Sequence, residues 1–296
     1  MINYKIKGNS LIFKDNYFFM KFGHILHKGI EKYGLVKEGK WYTIADIGRN
    51  DLGLENIDYL SNIKQELNNF DFLLAEENFE WLPPIARPGK ILCIGRNYAK
   101  HSTEQGKEPE DKPIIFSKFS SCLKGHQSKI NKPSNSNFLD YEVELAVVIG
   151  KSTSTLNTND DPLDYVFGYT VANDLTARDI QKSEKQWTRG KGFDQSLLIG
   201  PTIITSDEIR EPKNNDIWLQ VNGGNRQLSN TSNLIFDISF IIQYISEFIT
   251  LEPCDIILTG TPAGVGYFME PPQSLQSGDE VSCGITSIGE LRFTIQ

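Results

Sequence analysis

Residues 138–150 run FLDYEVELAVVIG, an apolar stretch of strand character that carries two acids, Glu142 and Glu144, two positions apart. Side chains at i and i+2 of a strand point to the same face, so both carboxylates converge while Val143 and Leu145 turn the other way. Like charges on an apolar segment repel and resist desolvation, which a divalent cation relieves. The same alternation also fits an edge strand whose polar face meets water. Asp174, in GYTVANDLTARDIQ, tips the balance, because it closes a second strand-like stretch over Val166 to Ala172. Three carboxylates suit one hard cation, Mg²⁺ or Mn²⁺ with Ca²⁺ possible, and no Cys or His has the spacing of a zinc site. Three protein ligands leave an octahedral ion open positions for water or a chelating substrate.

Short β-branched runs recur through the rest of the chain: ILCIG, ELAVVIG, DYVFGYTVA, GPTIITSDEI, IWLQVNG, DIILTG, DEVSCGI and LRFTI. Helical stretches are expected at Thr176 to Gln186 and Phe236 to Phe248. Many strands with few helices predict an α+β, β-rich fold, a mixed β-roll or sandwich. The stiff linker WLPPIARPGK, residues 81–90, holds three prolines and separates a small N-terminal α+β domain, 1–84, from a catalytic domain, 85–296. Upstream of it, GLVKEGKWYTIADI predicts a hairpin with a Glu-Gly turn, and IDYLSNIKQELNNFDFLLAE has helical spacing. No chemical motif falls there, which suggests a structural or oligomer-supporting part.

Hydrophobic residues make up 39% of the 296, enough for a real core. The net charge of −8, with no basic cluster, argues against a nucleic-acid surface. The start, MINYKIKGNS, has no apolar leader-like run, and stretches such as LAVVI are too short to span a bilayer, so a cytoplasmic protein without a membrane partner is expected. Cys93, Cys122, Cys254 and Cys283 form no CxxC pattern and are expected as reduced thiols in the core.

His101 and Glu104 are three apart, so one helical turn puts them on a shared face where Glu104 can orient the imidazole to deprotonate a water. An exposed helix carries such pairs without function as well. The polar stretch KHSTEQGKEPEDKP around them fits a solvated loop or a lid. TGTPAGVG, residues 259–266, is a glycine-rich turn able to offer backbone N–H groups and the Thr261 hydroxyl to a carboxylate. It lacks the endings of nucleotide loops. Arg96, Asn97, Tyr98 and Lys118 are placed in the same cavity, with Arg96 and Tyr98 as substrate-binding residues. Arg178 and Asp179 are expected to form a local ion pair bracing the Asp174 loop.

The chain resembles the fumarylacetoacetate hydrolase family through GRNYAKHSTEQG, FSK, DYEVELAVVIGK, GYTVANDLTARDIQ, RGKGFD, VNGGNRQ and TGTPAGVG, in that order. These segments span roughly residues 90 to 295. The resemblance implies a β-rich catalytic domain, usually dimeric, hence a homodimer, and metal-dependent chemistry on small 2-oxo acids. It favours a lid around His101. It also implies substrate binding by Gln181 and Lys191, with Lys191 stabilising an oxyanion between two permissive glycines. Departures fall at VNGG, at Cys254 and at FDQSLLIGP, and bear on substrate choice.

The leading expectation is a Mg²⁺ or Mn²⁺ enzyme in which Glu142, Glu144 and Asp174 hold the ion. His101, Glu104 and Lys191 are then catalytic, and a carbon–carbon bond of an acylpyruvate is hydrolysed. Oxaloacetate decarboxylation or tautomerisation, or isomerisation of a 2-hydroxyhepta-2,4-diene-1,7-dioate, are the enzymic alternatives. A Ca²⁺-stabilised structural β-domain is the non-enzymic one, and it would leave His101, Gln181, Lys191 and Thr261 without a shared purpose.

Overall fold

In a computed structural model, the structure describes residues 21–37, 40–47, 72–73 and 78–296. Two sheets pack face to face. The larger runs, strand by strand, through Phe72–Leu73, Lys40–Ile47, Ile30–Lys37, Lys21–His27, Leu197–Thr205, Val166–Asp174, Val143–Ile149, Ile256–Leu258, Ile91–Gly95 and Ile114–Lys118. The smaller has Gly224–Asn230, Asp216–Val221, Glu280–Ile285, Gly289–Ile295 and Ser128–Ile130. The β-rich α+β expectation holds, and every strand-like run named above lies on or overlaps a strand.

Period-two patterning sets the layers. Val143, Leu145, Val147 and Ile149 face the space between the sheets, where Ile217, Leu219, Val281, Leu291 and Phe293 of the smaller sheet meet them. Ala146 and Val148 point the opposite way, into a second core with Cys93, Ala172, Ile199 and Leu258. This strand is therefore buried on both faces, not an edge strand. Burying each Val, Leu or Ile side chain contributes ~1.5–3 kcal/mol, which helps hold a strand that also carries buried carboxylates. The four cysteines are unpaired and buried.

The predicted helices are shorter than their sequence patterns. Thr176–Ala177 pair as a strand with Leu139–Asp140, so the first helix spans only Arg178–Ser183. The second spans Ile238–Ser246, capped by Asp237, whose side chain accepts from the Phe240 amide. Asn222 and Gly223, both at positive φ, close the two-residue turn between Asp216–Val221 and Gly224–Asn230.

The strands of the expected N-terminal hairpin are present, Ile30–Lys37 against Lys40–Ile47. The Glu38–Gly39 turn lies outside the described residues. So does the helix expected over 57–76, except that Phe72–Leu73 pair as a strand. These strands are not a separate sheet, since Lys21–His27 joins the larger one beside Leu197–Thr205, with Phe22 opposite Ile203. No described helix is long and apolar enough to cross a membrane.

His126 is 3% exposed, packs edge-on to Trp81 and accepts the Arg292 amide at its Nδ1, 3.1 Å away. Burial first, and the Arg292 charge second, lower its pKa to about 4. The folded value lies below the unfolded one, so this stabilisation is complete above pH 6.5 and is lost as pH falls through about 4. The loss amounts to about 3 kcal/mol. His126→Gln, which keeps an acceptor, should flatten that part of the stability profile in denaturant titrations at pH 7 and pH 4; a slope identical to wild type would show that His126 titrates normally.

Candidate active site

The antiparallel register gathers the acids. Glu144 lies opposite Ala172 and Val143 opposite Asn173, so the next residues outward, Glu142 and Asp174, also face each other, joined by Asp174 N–H donating to Glu142 O at 2.8 Å. Directly opposed residues share a face. Glu142, Glu144 and Asp174 therefore converge, each offering an oxygen within 4.8 Å of the others, and all three are buried. Glu142 sits just before its strand, which begins at Val143.

Cations already compensate this cluster. Lys191 Nζ bridges Glu142 Oε2 at 2.6 Å and Asp174 Oδ2 at 2.7 Å. Lys118 Nζ donates to Asp174 Oδ1 and to Ser196 Oγ, at 2.7 and 2.9 Å, and also to the Lys191 carbonyl. Arg178 spans Glu142 Oε1 at 2.6 Å and Asp140 Oδ2 at 2.9 Å. Burial resists ionisation of Glu142, but the Lys191 and Arg178 charges outweigh it and bring its carboxyl down to about 2. Among the described residues, no cation pairs with Glu144. Burial, with Asp174 and Glu142 beside it, pushes its carboxyl well above the usual range, opposed by Lys191 and the Gly260 amide. A buried, all-oxygen set with one carboxyl so disfavoured as an anion fits a hard divalent cation. The Lys191 ammonium, between two of the acids, marks where positive charge is held.

Lys191 lies on regular structure. It ends a short helix, Thr188–Lys191, and is 2% exposed. Its glycines allow close packing: a Cβ at Gly190 would come 2.7 Å from the Gln181 backbone nitrogen, and one at Gly192 would come 2.7 Å from Thr188 O. The Arg178–Asp179 pair does not form. Neighbours on a helix point apart, so Arg178 turns to Asp140 and Glu142 while Asp179 accepts from Ser136 Oγ and the Asn137 amide.

Opposite the acids stands His101, 4% exposed, on the helix Ala99–Glu104. Its Nδ1 meets Glu104 Oε1 at 2.5 Å, and Gln105 Nε2 lies 2.7 Å from its Nε2. The glycine turn ties the two sides together. Gly260 N–H donates to Glu144 Oε2 at 2.6 Å and Gly264 N–H to Glu104 Oε2 at 2.9 Å. Both glycines have positive φ, and a Cβ would meet Asn97 Cβ at 2.8 Å or Arg226 O at 2.1 Å. The turn does present amides to carboxylates, but to the protein's own.

A cavity of about 330 Å³ joins these groups, lined by Arg96, His101, Glu142, Glu144, Gln181, Lys191 and Thr261 among others. Tyr98 is not in its wall but buried, with a hydroxyl that makes no hydrogen bond among the described residues. Asn97 is also withdrawn, its amide donating to Phe236 O and Thr259 O and accepting from the Phe236 amide. Lys118 stands behind the wall, on Asp174. Sequence reasoning gave no role to Asp140, Ser196, Gln227 or Trp187. Asp140 accepts from the Gly266 and Tyr267 amides as well as Arg178, and Gln227 joins the Val143 amide to Thr261 Oγ1. A polar residue inside an apolar run was the available signal for Asp140.

Among characterised proteins, oxaloacetate tautomerase fahd2 of Xenopus laevis, named as mitochondrial, is 43% identical over 78% of this chain and 73% of its own. The fumarylacetoacetate hydrolase domain-containing protein 2 homolog of Dictyostelium discoideum is 41% identical over 84% of this chain and 85% of its own. Among solved structures, the fumarylacetoacetate hydrolase of Exiguobacterium antarcticum aligns over 94% of this chain and 99% of its own, at TM-score 0.82 and 34% identity. The fumarylpyruvate hydrolase of Pseudomonas aeruginosa, in complex with Mn²⁺ and pyruvate, aligns over 75% and 92%, at TM-score 0.64 and 30% identity. With residues 90–296 matching the fumarylacetoacetate (FAA) hydrolase C-terminal family, the chain belongs to the fumarylacetoacetate hydrolase family of enzymes.

Proposed function

We propose that this enzyme interconverts the keto and enol forms of oxaloacetate, with a divalent metal, Mg²⁺ or Mn²⁺, at Glu142, Glu144 and Asp174. The observation that carries the reading is a buried imidazole, braced by a carboxylate, facing an acid cluster across one small cavity. The names of several relatives 42–45% identical to the chain support the substrate. When bound, the ion supplies Lewis acidity to the 2-oxo group and C1 carboxylate. Four buried carboxylates, Asp140 included, face three cations, so the protein alone leaves the cluster one negative charge in excess when all are ionised.

Enolisation moves one proton from C3 to the C2 oxygen and breaks no carbon–carbon bond. Glu104 accepts from His101 Nδ1, leaving Nε2 as the base that takes the C3 proton and returns it to the oxygen. The Gln105 amide, 2.7 Å from Nε2, moves aside for substrate. Burial opposes charge on Lys191, but Asp174 and Glu142 prevail and raise its pKa, so it stays an ammonium that hydrogen-bonds the developing oxyanion. Gln181, on which Arg178 Nη1 donates at 2.9 Å, and Thr261 complete the substrate contacts. Acylpyruvate hydrolysis is the second reading, favoured by the fumarylpyruvate hydrolase likeness. The same pair would then activate water for attack at C4.

The proposed assembly is a cytoplasmic homodimer, although the relatives' names include a mitochondrial location. Residues 1–84 are proposed to support the catalytic part, 85–296. Sedimentation at the mass of one chain would overturn the dimer.

Enol decay of oxaloacetate, followed by its ultraviolet absorbance with Mg²⁺, should be accelerated by the wild type and fall by roughly 10²-fold or more in His101→Ala. Cleavage of acylpyruvates without that acceleration would hand the site to the hydrolase reading. Glu142→Gln, Glu144→Gln or Asp174→Asn, or excess EDTA, should abolish turnover in a folded protein. Mg²⁺ or Mn²⁺ should restore EDTA-treated wild type better than Ca²⁺. Full activity in EDTA, or stoichiometric zinc at the three acids by mass spectrometry, would remove the metal assignment.

A further inference from the structure

The cations around the cavity differ in what they hold. Arg178 and Lys191 are committed to the acid cluster. Arg96, also in the wall, is not. Its Nη1 pairs with Glu110, a residue outside the cavity lining, and its Nε is buried without a hydrogen-bond partner among the described residues. Its guanidinium carbon lies 5.8 Å from the Trp187 ring centroid, within cation–π range. A Cβ at Gly95 would come 2.8 Å from Trp187, so the strand end and the indole are in close contact and fix the surface under the guanidinium. Arg96 also holds φ 55, a conformation uncommon outside glycine, which sends the chain from strand to helix at this point. An arginine so held, with one donor unmatched and another on a carboxylate, is built for carboxylate recognition.

We propose that Arg96 is the specificity-determining residue for a second, distal carboxylate, so that the site selects 2-oxo dicarboxylates over monocarboxylates, with Glu110 as the internal competitor for the guanidinium. The inference rests on the reading that the acid-cluster end takes the 2-oxo acid head. The distal group of a four-carbon diacid then points away from the three acids, and Lys107 in the same wall adds positive charge. Pairing with substrate exchanges one carboxylate for another, so the guanidinium is not left bare at either stage. Glu110 thus weakens binding of acids that carry a distal carboxylate and leaves those without one unaffected.

The test uses binding, independent of turnover. L-malate and L-lactate share a 2-hydroxy acid head and differ in the distal carboxylate, and both can be titrated calorimetrically into the full chain with Mg²⁺. Wild type should prefer malate by roughly 10- to 100-fold, the range of one hydrogen-bonded charge pair. Arg96→Gln should erase that preference by weakening malate alone. Glu110→Gln should act with the opposite sign, tightening malate while leaving lactate unchanged, which a merely damaged protein would not do. A preference that survives Arg96→Gln, a wild type that binds the two acids equally or binds neither, or a Glu110→Gln that weakens malate would each overturn the assignment. If the malate pattern appears but oxaloacetate is not tautomerised, the reaction assignment fails and Arg96 stands. Tautomerisation with no malate preference sinks Arg96 alone.

Discussion

Charge balance in one buried cluster governs this candidate active site. Carboxylates brought together by strand register resist burial unless matched, and Lys191, Lys118 and Arg178 supply the match for Glu142 and Asp174 from three different segments, leaving Glu144 the unmatched member. Each cation thereby pins its own element. Lys118 fixes the end of Ile114–Lys118, Arg178 the start of its helix, and Lys191 the short helix over residues 188–191. Removing a cation would leave an uncompensated buried charge, so the cluster is also a tertiary fastener.

A second layer orients the first. Asp140 holds Arg178 and the amides of Gly266 and Tyr267, while Gln227 links the Val143 amide to Thr261. The cost of burying the Asp140 carboxylate appears as an upward shift in its pKa, driven by burial and opposed by Arg178. These contacts join the two glutamates to the glycine turn before any substrate contact is made, which is the preorganisation electrostatic catalysis requires.

Much of the fold was legible because its signals are local. Short β-branched runs such as ILCIG, ELAVVIG and LRFTI gave strands, and the i, i+2 acids gave a shared face without any knowledge of the partner strand. The partners were not legible. From sequence, Lys191 is assigned to substrate with no protein partner, because nothing within RGKGFD records that it ends a helix against Asp174 and Glu142. Arg178 and Asp179 looked like a pair because they are adjacent, whereas the helix separates them and long-range acids claim the arginine. Asn97 and Tyr98 follow Arg96 directly, yet the chain's turn after the strand sends their side chains into the protein and leaves only Arg96 in the cavity wall.

The acid cluster and the imidazole are coupled through a single piece of backbone. Gly260 and Gly264, four residues apart, donate to Glu144 on the acid side and Glu104 behind the imidazole. Their positive φ and lack of room for a Cβ make that spacing a property of the turn, insensitive to substrate. A fixed separation between an acid cluster and a braced base suits any reaction that builds charge on a 2-oxo oxygen while a proton moves nearby. Tautomerisation and acylpyruvate cleavage both meet that description, so what differs between substrates must be read at the rest of the wall. There the side chains of Arg96, Lys107 and Trp187 are not anchored by the acid cluster, and the choice of substrate can change without disturbing the charges that hold the site together.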